Sequence, residues 1–229
     1  ERKAMSHESN PSHPLPAGLV GVAVDFDPFA ADPAAAAIEQ VITPTDAQRE
    51  VWLADHLGRE ASLAYNEAVE LDLRGSLDDA AVTRLQGACQ AVHQAHQALR
   101  AVFSDDGSEM LVQPADAAPL VFDVVDLRMQ DESTRNRRLA DWRQQVVTAP
   151  FDLGKGPLFR AHLLRLTDQH GVLLLAAHHL VCDGYSFGIV LRDLARAMRG
   201  EPLTSSAYAD YAADEARFAQ SAEAGTNVH

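Results

Sequence analysis

The hydrophobic period changes from segment to segment along the chain. Val69, Leu71 and Leu73 alternate with Glu70, Asp72 and Arg74, which predicts a strand with one buried face. Leu120 to Leu127, Leu158 to Leu166 and Val172 to His178 also read as strands, the last two joined at Asp168-Gln169-His170-Gly171. Short strands flank Asp105-Asp106-Gly107, a hairpin signal. Elsewhere the spacing is helical. Thr43 or Thr45 is placed to cap a helix whose residues Ala47, Val51, Trp52 and Leu57 share one broad apolar face. A second helix is predicted from Asp78 to about Leu99, with Val82, Leu85, Cys89 and Val92 inward. An arginine-rich helix follows over Glu132 to Val147, another runs from Gly184 to near Gly200, and a last one covers Tyr208 to Ala222. Strands adjoin in some places and are separated by helices in others. That order predicts an α/β fold, a two-layer α/β sandwich with a mixed sheet rather than a regular doubly wound one.

Residues 1–40 show no sustained period and are broken by Pro11, Pro14, Pro16, Pro28 and Pro33, so they read as a linker or N-terminal extension. The folded region is expected over 41–229. The longest apolar run, Val172 to Ala177, is far below the ~18 residues of a membrane span, and no secretory leader pattern is present. A formal net charge of −14 disfavours nucleic acid and anionic membranes as partners. Cys89 and Cys182 suggest neither a disulfide framework nor a metal site, and a reducing cytoplasm is the simplest setting.

Chemistry concentrates in His178-His179-Leu180-Val181-Cys182-Asp183-Gly184, at the end of the nearly all-apolar strand. Adjacent residues on an extended chain point to opposite faces, so only one of the two imidazoles faces a given cavity. Asp183, four residues beyond His179, is placed to orient a ring or an arginine. Gly184 permits close backbone approach, and the next helix start offers free N–H groups to a developing negative charge. Taken alone, the pair fits two satisfied core histidines at a strand end, and no further ligands at zinc-like spacing support a metal. No Gly-x-Ser-x-Gly elbow activates Ser186, and nothing near Cys182 indicates an activated thiol.

The His-His-x-x-x-Asp-Gly run at a strand-to-helix junction resembles the hallmark of condensation domains of nonribosomal peptide synthetases, within the chloramphenicol acetyltransferase-like superfamily. Four more segments resemble the family's motifs in the family's order. They are Thr45-Asp46-Ala47-Gln48-Arg49-Glu50-Val51-Trp52-Leu53, His96-Gln97-Ala98-Leu99-Arg100-Ala101-Val102-Phe103, Phe151-Asp152-Leu153 through Gly156-Pro157-Leu158-Phe159-Arg160, and Tyr208-Ala209-Asp210-Tyr211-Ala212. Ala95 stands where the second pattern has Arg, and Gln97 where it has Glu, so an arginine contact is either missing or supplied elsewhere. The run Gln48 to Ala54 and the segment Ala64-Tyr65-Asn66-Glu67 resemble the hybrid polyketide–peptide type of the family.

The resemblance implies the N-terminal subdomain of a condensation domain, its C-terminal subdomain absent and the fragment inactive alone. It implies an acyltransferase-type reaction that joins an acyl thioester on an upstream acyl or peptidyl carrier protein to the amine of an aminoacyl thioester on a downstream peptidyl carrier protein. Both substrates ride on 4'-phosphopantetheine of the carriers, no cofactor belongs to the domain itself, and an adenylation domain is the expected neighbour. His179 would be the catalytic histidine, accepting or steering the amine proton or stabilising the tetrahedral intermediate. His178 would be structural, Asp183 would hold the loop through an ion pair, and Gly184 would lend an N–H or leave room for the arm. Tyr185 and Ser186 are channel-lining candidates. Arg135 and Arg138 are candidates for docking an acidic carrier, although a charge run on a helix is more commonly a solvated face. Two other readings are a non-catalytic carrier-docking module and a fragment of an epimerisation domain, which shares the histidine signature.

Overall fold

The computed structural model describes residues 38–118, 120–204, 208–215 and 217. Its main sheet has the order β2-β7-β6-β5, with β2 Asn66–Arg74, β5 Val121–Asp126, β6 Phe159–Thr167 and β7 His170–His178. β2, β7 and β6 pair antiparallel, while β5 runs parallel to β6, so the sheet is mixed as expected. A small second sheet joins β1 Gln40–Ile42, β4 Met110–Val112 and β3 Ala101–Phe103. β1 begins at Gln40, the last position of the segment read as linker. The hairpin between β3 and β4 turns at Gly107, whose φ of 68° lies in the left-handed region that glycine tolerates.

The alternation of β6 assigns the two faces. Phe159 stacks on His93 of α3 Asp79–Ala95, with ring centroids 6.3 Å apart. At the opposite parity of the same strand, His162 meets Trp142 of α4 Glu132–Val147 edge-on at 6.1 Å. Thus α3 covers one face, packed against α5 Gly184–Met198, and α4 lies on the other. The sheet with its α3–α5 layer forms the α/β sandwich that the pattern predicts. β7 is buried over Gly171–His178, as its uninterrupted apolar run requires of a central strand. β5 is the edge strand, which leaves Val124 and Val125 43% and 36% exposed despite their apolar character.

Helix ends follow from their caps. Thr45 and Gln48 form a capping box that starts α1 Asp46–Asp55. Asp78 caps α3 through the Ala81 N–H at 2.8 Å. Two expectations need correction. Leu57, in phase with the apolar face of α1, lies beyond its C-cap His56 and is 81% exposed. The second helix does not reach Leu99: His96 turns to φ −108°, ψ 107°, and a 3₁₀ turn over Gln97–Arg100 follows. A short helix, α2 Arg59–Ala64, has no counterpart in the periodicity. Residues 208–215 and 217 are helical, and the remainder of the predicted last helix lies outside the described residues. Among the described residues no helix is long and apolar enough to cross a membrane.

Candidate active site

The paired histidines diverge as the alternation requires. His178, the last residue of β7, sits on the α4 face and is fully buried. Its Nε2 lies 3.2 Å from Asp55 Oδ1, its Nδ1 accepts the Leu180 N–H at 3.3 Å, and Phe151 meets the ring edge-on at 6.0 Å. Burial pushes its pKa down, and the nearby Asp55 carboxylate opposes that only in part. His178 thus packs against Asp55 and Phe151 on the face away from the cleft.

His179 projects on the opposite side. Its N–H donates to the Tyr65 carbonyl at 2.9 Å, so the chain stays attached to the sheet for one more residue. The imidazole is 38% exposed and lines a cleft of about 420 Å³ bounded by the start of α1, the start of α5 and the helix over 208–215. Its Nδ1 lies 2.6 Å from Glu67 Oε1 on β2. With Nδ1 engaged, Nε2 is the nitrogen left for chemistry in the cleft. The cleft also holds His96, whose Nε2 is 3.0 Å from the buried Asp193. Its described lining includes the carboxylates Asp183 and Glu215 and no lysine or arginine.

The loop after His179 is tied from several directions. Gln48 Nε2 donates to the Leu180 carbonyl at 2.7 Å while Gln48 Oε1 accepts from the Thr45 N–H at 3.1 Å. One buried amide thus fastens the histidine loop to the N-cap of α1. Asp183 Oδ1 accepts the Ser186 N–H at 2.7 Å and caps α5. A hydrogen bond with the Ser186 side chain lowers the Asp183 pKa, burial opposes it, and the Ser186 N–H lowers it further. The ion pair expected for Asp183 is not formed among the described residues. Ala95 ends α3 without a cationic side chain, and Arg100 from the same segment turns away to Glu39 and the Gln113 carbonyl. Of the N–H groups at the start of α5, that of Ser186 is held by this cap.

A Cβ built on Gly184 meets nothing within 4 Å, and Gly184 is not among the residues that line the cleft. Tyr185, 81% exposed, and Ser186 both line the cleft, as do Tyr208 and Tyr211. Cys182 is buried and its thiol is pushed up to about 12 by desolvation, which makes it inert at neutral pH. Arg135 and Arg138 are not brought to the site. Arg135 donates to the Leu166 carbonyl, near the end of β6 opposite the one that pairs with Ala177 beside His178. At ~3.3 Å per residue that is roughly 20 Å along the strand. Sequence reasoning missed Asp55 and Glu67 as partners of the two histidines. Glu67 carried a signal: it is in phase with Val69, Leu71 and Leu73, a charged residue at a core-facing register position.

The mixed sheet thus delivers one imidazole into an open cleft, with a carboxylate behind it. The family model for the condensation domain matches residues 38–227. The chain belongs to the condensation-domain family. It is 36% identical over 80% of its length to chondramide synthase cmdD of Chondromyces crocatus, of which it spans 5%. It is 34% identical over 72% of its length to phosphinothricin tripeptide synthetase PhsC of Streptomyces viridochromogenes, of which it spans 16%. Among solved structures it is similar to the starter condensation domain of rhizomide synthetase RzmA at a TM-score of 0.66 and 21% identity, covering 79% of this chain and 44% of that one. It is also similar to the X-domain from teicoplanin biosynthesis at 0.61 and 29% identity, covering 79% and 39%. The chain thus spans under half the length of these solved relatives and a small part of the synthetases.

Proposed function

We propose that this chain is the histidine-bearing lobe of a condensation domain and that His179 serves amide-bond formation between two carrier-bound thioesters. The observation that carries this reading is the placement of the His179 ring in the cleft, with Nδ1 held by Glu67 and Nε2 left for chemistry. The amine of the acceptor attacks the thioester carbonyl of the donor. An N–H proton passes to His179 Nε2 as the C–N bond forms, and the tetrahedral oxyanion collapses with cleavage of the C–S bond. The departing thiolate takes the proton back from the imidazolium, leaving an amide and a free phosphopantetheine thiol. General-base assistance of this kind supplies about 10²–10⁴-fold. Because a thioester is already activated, holding the two arms together supplies a comparable part. The carboxylates Asp183 and Glu215 in the cleft suit the arrival of an amine.

The acyl and aminoacyl carriers, and the second lobe that would close the cleft, are partners of this proposal. The test is product formation from carrier-loaded donor and acceptor by a complete two-lobe domain containing this chain. His179→Ala is expected to lower turnover at least 100-fold with an unchanged melting temperature, and wild-type turnover in that variant would remove His179 from the chemistry.

A further inference from the structure

We infer that Glu67 is a positioning residue that fixes the tautomer of His179, so that the neutral ring carries its proton on Nδ1 and presents an unprotonated Nε2 to the cleft. Which imidazole nitrogen is protonated is set by the hydrogen bond that the other ring atom makes. Here the Nδ1 partner is a carboxylate at 2.6 Å, a group that only accepts when ionised, so Nδ1 must be the donor. Nε2 has no hydrogen-bond partner among the described residues, and the ring lines the open cleft. The carboxylate is itself held in place by strand register. Glu67 pairs with Ala177, two residues before His179 and therefore on the same face of the sheet. The main chain of His179 is fastened to Tyr65, two residues before Glu67, through the Tyr65 carbonyl. The ring and its orienting carboxylate are thus tied to the same end of the β2–β7 pair.

The arrangement has a second consequence for the proposed chemistry, and this part rests on the condensation reading. As Nε2 takes a proton, the imidazolium that forms faces a carboxylate across a short charge-assisted hydrogen bond. Glu67 therefore orients the base before the reaction and favours its charged form during it. Other charged or titratable groups close to His179 are Asp183 and His178, on its own segment, and Tyr65, whose ring centroid is 6.3 Å away, and none has a hydrogen bond to its ring. Asp183 is committed to the α5 cap and His178 to Asp55.

The experiment reads the ring directly. Long-range ¹H–¹⁵N correlations of histidine rings in the 229-residue chain at pH 8, with His179→Ala for assignment, report the tautomer without any activity. The wild-type ring is expected as Nδ1–H, and Glu67→Gln, whose amide oxygen still accepts, is expected to keep it. Glu67→Ala is expected to lose that preference and give mainly Nε2–H. An Nε2–H ring in the wild type, or an unchanged Nδ1–H ring in Glu67→Ala, overturns the inference. The wild-type spectrum alone suffices if a variant fails to fold. In a complete two-lobe domain, Glu67→Ala is then expected to lower kcat about 10–100-fold with KM within twofold, the loss seen when partners that orient metal-bound histidines are removed. Glu67→Gln is expected to fall between, because it orients the ring but carries no charge. If the tautomer behaves as described while His179→Ala condenses normally, the positioning stands and the condensation reading fails.

Discussion

Removal of the Asp183 side chain separates a helix cap from an ion pair. The carboxylate accepts the Ser186 N–H at 2.7 Å, and it forms no salt bridge to a lysine or arginine among the described residues. Its contribution is therefore that of an N-cap, about 1 kcal/mol within a range of 0.5–2. A favourable interaction of its charge with the helix dipole adds about 0.3–1 kcal/mol. α5 is amphipathic and anchors Phe187, Val190 and Leu194 in the core, so fraying its first turn is felt by the whole domain. Asp183→Ala is expected to cost about 1–2 kcal/mol. For a folded body of this size that is a fall in Tm of roughly 2–8 °C. Asp183→Asn keeps an oxygen acceptor and loses only the charge, so it is expected within about 0.5–1 kcal/mol of the wild type. The folded-state pKa of Asp183 is depressed, so its stabilisation is present above the ordinary carboxylate range and is lost as pH falls through the folded value. The gap between wild type and Asp183→Ala should accordingly narrow in acid. The assay is thermal unfolding followed by circular dichroism at pH 7 and pH 3. If Asp183→Asn falls as far as Asp183→Ala, the charge and not the cap holds the loop, and the reasoning is refuted. Unchanged melting in both variants refutes it as well.

Two other perturbations test the packing. His93 is 1% exposed, and burial, followed by the nearby Arg100 charge, lowers its pKa to about 4. Its folded pKa lies below its unfolded one, so the neutral ring favours the fold above pH 6.5 and that contribution is lost as pH falls towards 4. Between pH 7 and pH 5 this amounts to about 2 kcal/mol, and His178 and His162, also shifted down by desolvation, act in the same direction. Urea unfolding at the two pH values should show the loss, and His93→Phe should reduce it. Gly107→Ala is expected to destabilise by about 1–3 kcal/mol, because φ is 68° and a Cβ there would drive into the Trp52 ring. An unchanged urea midpoint would show that the hairpin turn relaxes freely.

Periodicity exposed those parts of the fold whose signal is local. α4 spans Glu132–Val147, the residues its spacing indicates, because an aspartate cap and a polar surface with inward Trp142 and Val146 are all contained in that segment. α2 escaped because its six residues bury none of their number and its N-cap Gly58 makes no side-chain cap hydrogen bond, so there was no apolar period to read. Leu57 misled for the converse reason: it has the right spacing but follows the residue at which α1 ends. The same division holds at the site. The opposite orientations of His178 and His179 follow from strand geometry alone, and the sequence carries them. Their partners do not follow, since Asp55 and Glu67 lie 123 and 112 residues away along the chain. What brings Glu67 to His179 is the pairing of β2 with β7, in which Glu67 stands opposite Ala177. A slip of one residue in that ladder would carry Glu67 to the α4 face, where His178 is buried, and would turn Val69, Leu71 and Leu73 out of the α3 face. The apolar residues of β2 and the carboxylate beside the His179 ring are therefore fixed by one register. The strand that builds the core also places Glu67 at the His179 ring, and a substitution that weakens Val69 or Leu71 acts on both.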